Sequence, residues 1–197
     1  MYKLMIGSVV PRPIGWISTV SDAGDHNLAP FSFFNAVCSS PPHVQFCATR
    51  RGDVRLEKDT IRNIRETGEF VVNVVTEATA EAMNITATEF PADVDEFAVA
   101  GLTPAPSLHV RPARVAESPI HFECKLAQIV EVGDPIGGSS LVIGQVVHMH
   151  VDDDVLLGND KIDIARLQPV ARLGGNWYCR ITDVFELIRP PSQLIRR

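Results

Sequence analysis

IHFECKLAQIVEVGDPIGGSSLVIGQVVHMHV, residues 120–151, decides how the chain is read. Two apolar runs, 120–132 and 140–151, flank the turn sequence GDPIGGS, which is the pattern of a long β-hairpin. Upstream, GWISTV (15–20) and NLAPFSFF (27–34) flank SDAGD (21–25), and this spacing predicts a second hairpin. Further strands are expected at LMIGSVV (4–10), HVQFCATR (43–50), EFVVNVV (69–75) and NWYCRITDVFEL (176–187). Two long hairpins plus shorter strands, punctuated by 13 Gly and 14 Pro, predict a mainly β fold. Closure into a full or partial barrel would remove its exposed sheet edges.

Helices are expected to be few and short. KDTIRNIRETG (58–68) offers Asp or Thr to cap its start, Ile61 and Ile64 on one face, and Gly68 as a stop. TEATAEAMNITA (76–87) and DKIDIARLQPV (160–170) are further candidates, and the proline-rich 101–115 reads as an irregular connection or edge strand. With 197 residues and no internal repeat or linker, the chain is expected to form a single domain over residues 1–197. No apolar run approaches the roughly 20 residues of a membrane span, and the first residues lack a secretion signal, so a soluble cytoplasmic protein is expected.

A net charge of -6 argues against a nucleic-acid partner. Cys38, Cys47, Cys124 and Cys179 lack CxxC spacing and sit in apolar runs, as buried reduced thiols would. GxGxxG, GxxxxGK[ST], GxSxG and HExxH are all absent. His148 and His150, two apart on a strand, share a face that a metal or a plain histidine pair would suit; no metal is expected.

Three segments carry candidate binding chemistry. Lys58 precedes a helix start, where a mobile cation joins backbone N–H groups and the positive end of the helix dipole; Asp59 should cap that start, moving an anion aside toward Lys58 and the Thr60 hydroxyl. Arg12 is held between two prolines, as a positioned anion ligand or a rigid-loop surface charge. LGGNWYCR (173–180) places two glycines before an aromatic pair, as a tight turn or as room for a planar ligand. In NLAPFSFFNAVCSSPP (27–42), a core strand accounts for the aromatics but not for Ser32, Asn35, Ser39 and Ser40, the small donors and acceptors a planar heterocycle with polar edges requires.

VVPRPIGWISTVSDAGDHNLAPFSFFNAVCSSPPHVQF followed by KDTIRNIRETGEFVVNVV resembles the flavin reductase-like, FMN-binding split-barrel proteins, which include flavoredoxin and reductase components of two-component monooxygenases. DEFAVAGLTPAPS, RVAESPIHFEC and LQPVARLGGNWYCRI extend the resemblance over nearly the whole chain. It implies a homodimer of split β-barrels, each holding FMN near the subunit interface. Carried over by position, residues 27–35 would line the isoalloxazine and ribityl chain, from Asn27 to Asn35, with backbone groups of Ala29, Pro30, Phe31 and Ser32 at its edge and Phe33 against it. Arg12, Lys58, Asp59 and Thr60 would gather at the ribityl and phosphate end. Two positions depart from the family: Ser140 stands where NAD(P)H-using members often carry His, and Glu96 where a basic residue is common.

The resemblance therefore implies an FMN-dependent oxidoreductase in which NAD(P)H reduces the flavin and electrons pass to a second flavin, a partner oxidoreductase or a monooxygenase. No acid or base is assigned, since the flavin carries the bond chemistry. The alternatives are an FMN-holding electron carrier reduced by a protein partner, and a β-barrel binding module without flavin.

Overall fold

The computed structural model describes residues 1–50 and 57–194. Helix α1 (Tyr2–Ser8) precedes strands β1 (Gly15–Val20), β2 (His26–Phe31), β3 (Phe34–Ser39) and β4 (Pro42–Thr49), and α2 (Asp59–Thr67) leads into β5 (Glu69–Val74). Next come α3 (Ala80–Ile85), α4 (Glu96–Ala100), the short strands β6 (Pro104–Ala105) and β7 (Arg114–Val115), and the long strands β8 (Ile120–Val132) and β9 (Ser139–Val151). The chain closes with β10 (Leu156–Leu157), β11 (Lys161–Ile162), α5 (Ile164–Leu167), β12 (Val170–Arg172) and β13 (Tyr178–Arg180).

Seven strands form one antiparallel sheet in the order β2-β1-β5-β8-β9-β4-β3. Its two edges, β2 and β3, are consecutive in the chain, joined only by Ser32 and Phe33. Laid flat, seven strands would hold those edges about 29 Å apart. The step from Phe31 to Phe34 spans at most about 11 Å. The sheet must therefore curl until its edges meet, and the core shows that it does. Ile17, Phe31, Phe46, Phe70, Cys124 and Val142, from six different strands, pack in one buried cluster with Ile61 and Ile64 of α2. Phe31 of β2 meets Phe46 of β4 with ring centroids 4.8 Å apart.

A second cluster covers the outside of β1, β2 and β5, where Trp16, Leu28 and Val75 pack against Met83 of α3, Phe97 of α4 and Val115. Buried on both faces, β1 carries its polar residues in bonded form: Ser18 donates to the Ala113 carbonyl at 2.6 Å and the Trp16 indole to Thr86 Oγ1 at 2.9 Å. At Gly144 on β9 an added Cβ would sit 2.3 Å from Phe70 Cζ. Gly144→Ala is expected to push Phe70 out of the core at a cost of about 1–3 kcal/mol, read as a lower denaturation midpoint.

Both expected hairpins are present, β1–β2 and β8–β9, and α2 ends at Gly68 in the left-handed conformation at φ 71°. Residues 4–10, expected as a strand, lie mostly in helix α1. The cause lies in polar side chains rather than in the apolar pattern: the Ser8 hydroxyl donates to the Leu4 carbonyl, and the Arg12 guanidinium, from outside the run, donates to those of Ile6 and Val9. The run 27–34 is not one strand, because the chain crosses from one sheet edge to the other at Ser32 and Phe33. Of 176–187, only Tyr178–Arg180 is strand; residues 181–194 carry no helix or strand. The four cysteines are free thiols, but only Cys124 is fully buried and Cys38 is exposed on β3.

Candidate functional site

As a sheet edge, β2 pairs with β1 on one side only, so the backbone groups on its other side face outward. Two adjoining clefts open along it. The larger, about 240 Å³, is lined by Arg12, Pro30, Ser32 and Phe33 together with Tyr2 and Ile6 of α1, Met83 of α3, and Arg172 and Tyr178 of the β12–β13 hairpin. The smaller, about 70 Å³, is lined by Asn27, Ala29, Pro30, Phe31, Lys58, Asp59 and Thr60, with Ala87 and Glu96 opposite. Pro30 and Ala87 line both, so the two meet at that pair. Every residue assigned from the sequence lies on one of these clefts except Asn35, which is exposed on β3 with its side-chain oxygen on the Ala36 N–H.

Contact differs from placement. The Arg12 guanidinium, 6% exposed, donates to the carbonyls of Val9 at 2.6 Å, Ile6 at 2.7 Å and Leu173 at 3.0 Å, and to Ser32 Oγ at 3.3 Å. It also lies 5.7 Å from the centre of the Phe33 ring. Arg12 is thus not a surface charge but a clamp joining α1, β2 and the β12–β13 hairpin. Burial, followed by the like charge of Arg172, holds its pKa below the usual arginine value.

At the other end, Thr60 Oγ1 donates to Asn27 Oδ1 at 2.7 Å, and Asn27 Nδ2 donates to Glu96 Oε1 at 3.0 Å. Glu96 Oε2 accepts from the Leu28 N–H at 3.0 Å. These side chains form a buried network behind the cleft that fixes where β2 runs. Burial pushes the Glu96 carboxyl up, and nearby Asp59 adds to this, against the hydrogen bonds from Leu28 and Asn27. Asp59 does not cap α2: Lys58 is the N-cap residue, with no side-chain cap, and the Asp59 carboxylate pairs with Arg62 at 2.6 Å. Among the described residues no side chain caps the helix start, and Lys58 stands beside its first backbone N–H groups.

Sequence reasoning missed Tyr2, Met83 and Arg172, whereas Tyr178 belongs to the aromatic pair of LGGNWYCR. Arg172 directly precedes the quoted LGGNWYCR, and its guanidinium stacks on Tyr178, 4.5 Å from the ring centre, so the signal lay one residue outside the motif. Tyr2 lies before the run 4–10 expected as a strand, and helix α1 carries it to the cleft. His148 and His150 do share a face, but at the far end of β9, in a group with His109 and His121. Among the described residues no cluster has the geometry to hold a metal.

The model of the flavin reductase-like domain matches residues 6–165. The chain belongs to the flavin reductase-like family. Its fold is the split β-barrel of that family, mainly strand with a few short helices. An uncharacterized protein of Aquifex aeolicus is 44% identical over 180 residues, covering 91% of this chain and 89% of its own. Among solved structures, nitrilotriacetate monooxygenase component B from Bacillus cereus is 36% identical with a TM-score of 0.89, over 94% of this chain and 92% of its own. The 2-nitrobenzoate 2-nitroreductase NbaA of Pseudomonas fluorescens is 34% identical with a TM-score of 0.85, over 98% of this chain and 93% of its own. Membership makes flavin the expected ligand and oxidoreductase chemistry the family trait. The residues present fit such a group: an unpaired strand edge for the polar rim of a planar ring, Phe33 and Pro30 for its apolar face, and a helix start with a lysine for a terminal anion. No helix among the described residues is long and apolar enough to cross a membrane.

Proposed function

We propose that this chain is an FMN-dependent oxidoreductase, of the NAD(P)H:flavin reductase type, passing electrons to flavin or to a partner oxidoreductase or monooxygenase. The observation that carries this reading is the pair of clefts meeting at Pro30 and Ala87, ring-sized chemistry on one side and the α2 start with Lys58 on the other. FMN supplies reversible hydride and electron transfer when bound. The chain's own work is positional. The outward backbone of 29–32 orients the ring edge, Phe33 backs the ring, Lys58 and the first turn of α2 hold the phosphate, and Asn27, Thr60 and Glu96 keep β2 in place behind them. The whole chain acts as a single domain in the cytoplasm, as a homodimer.

The second reading, an FMN-holding electron carrier, draws on Ser140. It is 2% exposed and its hydroxyl donates to the Glu131 carboxylate, so it does not replace the histidine that NAD(P)H-using members often carry here. Anaerobic mixing with NADH or NADPH separates the two. Bleaching of the bound flavin is expected; a yellow protein that neither donor bleaches is a carrier, and a protein that stays colourless after incubation with FMN and desalting binds no flavin.

Lys58→Ala tests the phosphate end. One charge-assisted contact is worth about 1.5–3 kcal/mol, so FMN affinity is expected to fall about ten- to hundredfold. Riboflavin, lacking the phosphate, should bind as before, and equal losses for both ligands would contradict the assignment.

A further inference from the structure

We propose that residues 181–194 form a strap that lies on a second copy of this chain, in the groove between its α3 and its β12–β13 hairpin. The proposal rests on the homodimer reading above and names the element that holds the dimer together. After Arg180 the chain carries no helix or strand: Ile181, Thr182 and Val184 still line a cleft with Glu77, Ile164 and Pro169 of their own chain, and the described residues after Ile181 are exposed. A solvated tail is polar, because it has nothing to bury. This one carries Val184, Phe185, Leu187, Ile188 and Leu194, all between 67% and 86% exposed. Phe185 and Leu187 alternate on one side of an extended chain and Val184 and Ile188 on the other, so both sides of the segment are apolar. Beyond them, Arg189-Pro190-Pro191 holds the backbone extended and removes two N–H donors, which suits a strap across a groove better than a strand added to a sheet.

The groove has the matching character. It measures about 1,210 Å³, with Ala80, Ile85, Ala87 and Val170 among its apolar walls and Glu77 and Glu81 on its acidic side. Of the strap's charges Arg189 complements those acids and Asp183 and Glu186 do not, so the match lies in apolar surface rather than in charge. Arg180, the last residue of β13, lines this same groove and pairs with Glu77 at 2.6 Å, so each strap departs beside the groove that receives its partner's. That arrangement is what a two-fold exchange requires, since both partners use one surface. At roughly 100 Å² for each large apolar side chain, two straps bury on the order of 1,000 Å², the area at which a specific interface begins.

The groove shares Ala87, Arg172 and Tyr178 with the larger cleft on β2. A partner's strap would therefore close that cleft's open side.

The test compares three forms of the protein by analytical ultracentrifugation across the micromolar range: the full chain, the chain ending at Arg180, and the full-length double variant Phe185→Asp/Leu187→Asp. The full chain should be dimeric and both altered forms should dimerise about a hundredfold more weakly, with unchanged far-ultraviolet circular dichroism. A full chain that stays monomeric overturns the dimer reading and the strap together. Altered forms that dimerise as tightly as the full chain overturn the strap alone. Placement is read by mixing single variants Ile85→Cys and Leu187→Cys, each in a Cys38→Ser background, under oxidation. A crosslinked heterodimer is expected, while a disulfide that forms only when both cysteines are on one chain would show the arm folding back on its own barrel and overturn the proposal.

Discussion

Exchanging Arg12 for Met is expected to destabilise the protein by about 3–5 kcal/mol, because the carbonyls of Ile6, Val9 and Leu173 lose a shared, largely buried donor. Most of the loss should appear locally first: α1 buries no residue of its own, so the guanidinium is its main tie to the barrel. Limited proteolysis within residues 7–10 should accelerate before global unfolding does. The same exchange should weaken FMN and riboflavin to similar degrees, since Arg12 holds the cleft wall through Ser32 and α1 while its N–H groups already serve protein acceptors. Selective loss of FMN would instead mean that the guanidinium leaves those acceptors for the phosphate. Paired with Lys58→Ala, the exchange separates a residue that shapes the site from one that meets the ligand's charge.

What the sequence disclosed and what it hid follow one physical division. Elements whose stability is local were readable. The β8–β9 hairpin has long apolar runs and a glycine-rich turn; α2 has a two-isoleucine face and Gly68 as its stop. Elements whose conformation is set by distant partners were not. α1 looks like a strand because Leu4, Met5 and Ile6 are apolar, yet its helix is closed by the side chain of Arg12. Helix α4 was overlooked at five residues, although Asp95 caps its start by accepting the Phe97 N–H and Gly101 ends it at φ 67°. The apolar C-terminal arm resembles a strand because its composition asks for burial, yet its described residues beyond Ile181 stay exposed.

The site shows the same division. The chain order placed Asn27, Ala29, Pro30, Phe31, Ser32 and Phe33 on one stretch, and the topology turned that stretch into a sheet edge beside the α2 start. Ser32 and Phe33 owe their position to barrel closure, since they are the link between the two edges. Asn35 lies one strand further on, paired in register with Gln45, and faces away from both clefts. Arg172 and Tyr178 reach the site from more than a hundred residues along the chain, and only Tyr178 lies within the motif LGGNWYCR.

Glu123→Leu is expected to cost about 3–5 kcal/mol at neutral pH, the usual penalty for removing one side of a buried charged network. The carboxylate is fully buried on β8, accepting from the Leu108 N–H at 2.8 Å, the His109 N–H at 2.6 Å, and contacting His150 Nε2 at 2.6 Å. Burial by itself would raise this carboxyl, but the bonds from His150, Leu108 and His109 outweigh it and hold the pKa below the usual glutamate value. Because the folded value is the lower one, its stabilisation is present above the unfolded value, about 4.3, and is lost as pH falls through the folded one. His121, on the same strand, is held low, chiefly by burial. The folded state there binds fewer protons than the unfolded state, so stability also falls as pH drops below about 6.5. Urea denaturation of the unaltered protein should therefore weaken on acidification in two stages, and Glu123→Leu should keep the first while shrinking the second, to which Glu131, held low by Ser140, Arg65 and Arg50, also contributes. A variant whose lower stage is undiminished would place that titration on carboxylates other than Glu123.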